Sequence, residues 1–322
     1  MKQIRKIIIF CTCLLILFIS LSTFTQAENT NIICTNSVLA DFTSNIITEN
    51  ATIEYIMPAG ACPSHFDTSP SDVSLIASAD IIISLGWEPW LEDLINSSGN
   101  LDVETIKCSG LGEWNIPSGA KKYVEKIRDE LLLIFPLQNE TIQTDANAYL
   151  NQINETAGSL REIIENYGYL EKEIICMQWQ EDFLEWLGLN ITYSYAPPET
   201  LSTQDELDVI DAAATGEIYA VIDNLQSGTD FGARVASESG ASHVIFTNFP
   251  GAIPGADTYL EMITYNTQQL INGISTYEYK QGDIANLENQ LHNLELQRNV
   301  LLLVAVIFAI LACILIALYK KK

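Results

Sequence analysis

The segment from Gly60 to Val73, GACPSHFDTSPSDV, sets a cysteine, a proline, a histidine and two aspartates between two apolar runs. The chain holds only 3 histidines among 322 residues, so an imidazole three positions from a thiol stands out. Those donors are borderline and soft, and together they suit a transition metal. Outside the two chain ends the remaining cysteines are Cys34, Cys108 and Cys176. The competing reading is structural: cysteine is among the most buried residue types, and a strand-end cysteine is more often a core filler or half of a disulfide. Cys34 and Cys62 follow strands expected to be neighbours, so a bridge between them is one alternative and metal ligation the other. His243 and His292 have no comparable companions and are read as structural. No G-x-S-x-G, G-x-x-x-x-G-K-[ST], H-E-x-x-H or C-x-x-C pattern occurs, and GLGEWN carries Asn115 where a dinucleotide motif needs glycine, so the chain is not read as an enzyme.

These residues need elements to position them. Short β-branched runs, NIIC, TIEYIM, IIISL and VETIKC, alternate with amphipathic helical stretches, and KEIICM, ITYSYA, IYAVIDN and HVIFTN repeat the alternation. Strands alternating with helices at this spacing predict βαβ units and parallel sheets. The expected fold is α/β, with two parallel-sheet βα lobes, residues 28–138 and 168–277, joined by one long backbone helix over 139–167. Open parallel sheets collect ligands beyond the carboxyl ends of their strands. Cys34, Cys62, His65, Cys108 and Cys176 all fall at or just past such ends, and a cleft between the lobes would gather them.

The chain ends say where the lobes reside. Residues 1–27 run from Lys2, Arg5 and Lys6 through an apolar stretch to Ala27, the order of a secretory signal peptide. The apolar run from Val300 to Tyr319 is long enough as a helix to cross a hydrocarbon core of ~30 Å. It is expected to be a transmembrane anchor, with Lys320 to Lys322 on the cytoplasmic side. Residues 278–299 read as a helical stalk, where Ile284, Leu287, Leu291 and Leu294 hint at a short coiled coil. The expected location is the cell membrane, single-pass, with the lobes on the extracytoplasmic side. Acidic residues number 41 against 16 basic ones, and that balance disfavours nucleic acid and anionic partners. N-x-[ST] sequons at Asn50, Asn96, Asn139, Asn154 and Asn190 fit an exported glycoprotein surface.

Read with its neighbours, CPSHFDTSPSDVSLIASADIIISLGWEPWLEDL resembles the first-lobe ligand loop of extracytoplasmic solute-binding proteins of zinc- and manganese-type ABC importers. The similarity continues through YLNQINETAGSL, DFLEWLGL, VIDNLQSG and TNFPGAIPGADTYLEMITYN. It implies a two-lobed receptor, hinged little by its backbone helix, that holds a divalent metal between its lobes for delivery to a membrane permease. The family's ligands carry over onto His65, onto Met177 or Gln178, onto Glu199 and onto Asn248. Histidine is therefore absent at the second position and a charge is lost at the fourth. Cys62 and Cys176 are the candidates to supply replacement ligands, which would favour zinc, or softer copper(I), over manganese. Zinc is the expected cargo, ahead of manganese or another divalent transition metal. The alternatives are an adhesion or interaction protein on the same fold and a receptor for a metal complex or small organic ligand.

Overall fold

The structure, a computed structural model, describes residues 29–109 and 113–319. The expected signal peptide and Lys320 to Lys322 lie outside these described residues. The first lobe contains strands β1 (Thr30–Cys34), β2 (Ala51–Tyr55), β3 (Ile81–Ser84) and β4 (Glu104–Lys107), all parallel, in the order β2-β1-β3-β4. The second contains β5 (Glu173–Met177), β6 (Asn190–Tyr195), β7 (Ala220–Asn224) and β8 (Ser242–Phe246), again parallel, in the order β6-β5-β7-β8. Central strands covered on both faces need continuous apolar sequence, and β3, Ile-Ile-Ile-Ser, is buried at every position.

Helices α1 (Ser37–Ser44), α2 (Pro70–Ala77), α3 (Leu91–Ser98) and α4 (Pro117–Ile134) belong to the first lobe, and α6 (Glu181–Leu187), α7 (Thr203–Thr215) and α8 (Asp230–Ser239) to the second. The start of α2 is written locally: Pro70 occupies its first turn, and Ser69 and Asp72 form a capping box. The joining helix α5 (Asn139–Tyr167) buries Ile142, Ala146, Tyr149, Ile153, Leu160 and Ile164, a stripe at helical spacing. It stops at Gly168, whose φ of 72° only glycine adopts without strain. Next, the Tyr169 hydroxyl meets Ser275 Oγ at 2.7 Å, tying the end of α5 to the last helix.

That last helix, α9 (Tyr259–Tyr319), is continuous over 61 residues. Its first part packs on β8 and on the joining helix α5 and buries Met262, Ile263, Leu270, Ile271 and Ile274, while Tyr259 meets Phe42 of α1 edge-on with ring centroids 5.1 Å apart; burial ends at Tyr277. Beyond that point its described side chains are exposed, through the expected stalk and into an apolar stretch long enough to cross a membrane. One contiguous core runs through the first lobe, α5, α9 and one face of the second sheet. A smaller core lies on the other face of that sheet, where β5 and β7 meet α7 and α8. The lobes are thus packed together as well as linked by one helix.

Candidate functional site: a tryptophan and amide cavity between the lobes

In each sheet the chain moves from the first strand to one edge and then returns to the first strand's other side, so crevices open beyond the carboxyl ends of β1 and β3, and of β5 and β7. Every side chain around the interlobe cavity lies at or beyond the carboxyl end of one strand or another. Cys62, Pro63 and Ser64 follow β2, and Trp87 follows β3. The Trp87 loop is held by Glu88, whose carboxylate accepts the backbone N–H groups of Leu85, Gly86 and Trp87 at 2.8, 2.8 and 3.1 Å. Trp114 sits on the short turn Glu113–Asn115 beyond β4. From the second lobe, Trp179 follows β5, Asn224 ends β7 with Gln226 and Ser227 just past it, and Asn248 and Phe249 follow β8. Together they enclose about 60 Å³.

Amides close the cavity across the lobes. Trp114 Nε1 donates to the Asn248 carbonyl at 2.8 Å, and Asn115 Nδ2 donates to the Trp179 carbonyl at 3.0 Å. Gln226 Nε2 reaches Ala59 O at 2.8 Å and Thr247 Oγ1 at 2.9 Å, while Gln226 Oε1 accepts from the Asn248 backbone N–H at 3.1 Å. The Asn248 side chain is engaged too, its Oδ1 accepting from Gln180 Nε2 at 2.8 Å. Asn224 Oδ1 accepts from Ser227 N–H at 3.1 Å, yet its buried Nδ2 has no hydrogen-bond partner among the described residues.

Of the residues expected to ligate a metal, Cys62 and Asn248 reach the cavity wall and the others do not. His65 is exposed on the turn Pro63–His65, and Glu199 is exposed on the turn Pro198–Thr200. Gln178 is half-buried and outside the lining; its neighbour but one, Gln180, is the glutamine that bonds Asn248. Cys176 belongs to the core, because alternation along β5 sends Ile174 and Cys176 to the large core and Ile175 and Met177 to the small one. Burial pushes its thiol up, with Glu181 and Glu185 adding to the effect. Among the described residues no three His, Cys, Asp or Glu side chains gather as a metal ion would require.

The alternative of a bridge is not what the structure shows: Cys34 and Cys62 are both free. Cys34 ends β1 facing the core, fully buried, with its Sγ 3.8 Å from Thr43 Oγ1, whereas Cys62 lies in the cleft wall. Burial pushes the Cys34 and Cys108 thiols up to about 12, so neither supplies a thiolate near neutrality. His243, read as structural, pairs its Nε2 with the buried Asp223 carboxylate at 2.7 Å on the edge of the second sheet.

The residues missed were Trp87, Trp114, Trp179, Gln180, Asn224 and Gln226. Their signal was available, since the strand-end rule that singled out the cysteines applies equally to the tryptophans beyond β3, β4 and β5. Fold and cleft together define a two-lobed solute-binding protein. The chain belongs to the family described as ZnuA, zinc-uptake complex component A, periplasmic, whose model matches residues 32–273.

Among its relatives is the manganese-binding lipoprotein MntA of Halalkalibacterium halodurans, 25% identical over 273 residues that cover 78% of this chain and 90% of the relative. Another is the iron-binding protein YfeA of Yersinia pestis, 23% identical over 77% of this chain and 87% of the relative. The Mn-bound periplasmic metal binding protein from Candidatus Liberibacter asiaticus superposes with a TM-score of 0.65 at 18% identity, over 76% of this chain and 99% of the other.

Proposed function

We infer that this chain is the extracytoplasmic receptor of an ABC importer, held at the membrane by α9, and that it takes up its cargo between the two lobes. The supporting observation is the cavity itself: every wall residue stands at or beyond the carboxyl end of a strand, drawn from both sheets, where open parallel sheets bind ligands. Membership of the ZnuA family supports the pairing with a permease. Relatives are named for manganese, iron or zinc, and zinc is the cargo that the residue-by-residue carry-over favours. The cavity wall, however, offers a metal ion one thiol and neither carboxylate nor imidazole.

His65 and Glu199, exposed on turns beyond β2 and β6, flank the face from which a permease would draw cargo. With a photo-crosslinking residue at either position in native membranes, the expected product is the full-length chain joined to an integral permease subunit. Crosslinks confined to other surface proteins would instead support the adhesion reading.

A further inference from the structure

We propose that the apolar stripe of the stalk is a dimer seam, through which two copies of this chain pair as a parallel coiled coil over residues 284–294 of α9. The proposal goes beyond the receptor reading and rests on one part of it, the anchoring of α9 in a bilayer. Ile284, Leu287, Leu291 and Leu294 recur at alternating intervals of three and four residues, and all are exposed. This is the a and d pattern of a coiled coil, with Ile284 and Leu291 at a and Leu287 and Leu294 at d. Between them the helix carries Asn286, Glu288, Asn289, Gln290, His292 and Asn293, and Leu296 is the one long apolar side chain of the stalk off the seam. An apolar stripe on a polar helix needs a covering surface. Among the described residues this chain supplies none, because burial along α9 ends at Tyr277.

Geometry makes a second copy the occupant. The helix is unbroken from the lobe into the apolar stretch, so every copy in one membrane holds its seam at the same height and in the same direction. Two such seams meet parallel and in register, and confinement to one plane raises the concentration at which they meet. The same phase continues past the stalk, where Leu301, Ala305, Phe308 and Ala312 take the next d and a positions. Small residues at a, here Ala305 and Ala312, are what closely packed membrane helices carry.

The lobes do not stand in the way. At about 100° per residue, the seam lies roughly a quarter-turn around α9 from the face made by Met262, Ile263, Leu270, Ile271 and Ile274. A second stalk can therefore lie against the seam while the two second lobes sit on opposite sides of the pair. Two features oppose pairing. Asp283 of one copy would face Glu288 of the other, and Arg298 stands at an a position where the stalk meets the apolar stretch. The acidic pair is exposed and screened by salt. The Arg298 guanidinium lies 4.0 Å from Glu295 Oε1, and its long stem can keep the charge in water.

The test places a photo-crosslinking residue at Leu287, on the seam, or at Asn289, on the opposite face of α9, in the full-length chain in its native membranes. Irradiation should join two copies through position 287 and not through position 289. In sedimentation of the detergent-solubilised chain, the parent should be a dimer and Leu287→Asn with Leu291→Asn a monomer. The Tm of the lobes should stay that of the parent, since neither side chain touches them. A monomeric parent, equal joining through both positions, capture of other proteins alone at position 287, or a dimer that survives both substitutions overturns the proposal. Monomers of a chain that resists carbonate extraction would remove the dimer and leave the receptor reading standing. A chain that carbonate washes off the membrane, or one without the permease crosslink at His65 and Glu199, would count against the receptor reading itself.

Discussion

Individual side chains at the cleft make separable predictions. Cys62 is the accessible thiol of its group, while Cys34, Cys108 and Cys176 are buried and their thiols are pushed up in pKa by that burial. Alkylation of the native chain near neutral pH, read by peptide mass mapping, should therefore label Cys62 and spare those three; an unlabelled Cys62 would reopen the case for a bridge.

Trp114 is 2% exposed, its ring centroid lies 5.5 Å from that of Phe249, and its Nε1 holds the Asn248 carbonyl. Trp114→Ala should cost about 3–5 kcal/mol in chemical denaturation. Trp114→Phe should cost less, losing part of the ring and a hydrogen bond worth about 1 kcal/mol.

Asp41 carries the pH dependence that can be assigned. Burial holds its carboxyl above the ordinary 3.8, against the lowering influence of bonds from Tyr149 Oη and Tyr259 N–H. Between the unfolded and the raised folded value, the native state binds more protons than the unfolded chain. The stability contributed by Asp41 is thus fully present below 3.8 and is lost as pH rises through the folded value. Asp41→Asn can keep both bonds, because both go to the one oxygen Oδ2. The Tm of this variant relative to the parent should therefore rise between pH 4 and pH 7, and a flat difference would contradict the assignment.

Among the elements, the start of α4 decides where Trp114 stands. A Cβ built on Gly119 would lie 1.7 Å from the Glu113 carbonyl oxygen, so only glycine lets the helix pack against the turn that carries the tryptophan. Backbone cannot yield as a flexible side chain does, and Gly119→Ala should lose about 1–3 kcal/mol. It should also red-shift tryptophan emission as Trp114 is displaced, and a variant with parental Tm and emission would refute the packing argument. Of the elements themselves, all eight strands were legible in the sequence as short runs rich in β-branched residues bounded by helices, although only central strands such as β3 and β7 are buried throughout while the edge strands β2, β4 and β6 are partly exposed. Ile284, Leu287, Leu291 and Leu294, read as hinting at a short coiled coil in a stalk, are exposed on α9.

At the scale of the whole molecule, α9 joins the second lobe to the apolar stretch without a break, and residues 278–299 add a rise of about 33 Å. A receptor mounted as proposed above would keep a set height above a bilayer. Gly282→Pro falls where nothing packs on the helix, since burial ends at Tyr277. It should leave the Tm of the lobes within a degree or two while breaking the helix locally. Energy transfer from a lobe label to labelled lipid should then show a broader spread of distances, and an unchanged spread would show that the stalk is not what sets the height.

The sequence by itself determined the alternation of strands and helices, the long apolar end and the region of the cleft, since each depends on local periodicity or on topology rules that act through chain order. It could not determine which groups meet in that cleft. Side-chain direction flips at every residue of a strand, so Cys176 and Met177, adjacent in sequence, enter different cores. Gln180, two positions beyond Gln178, is the one that reaches Asn248. Whether a polar atom is spent or free depends on partners dozens of residues away. Only the packed lobes show that the Asn248 oxygen accepts from Gln180 and that the buried Asn224 Nδ2 has no partner among the described residues.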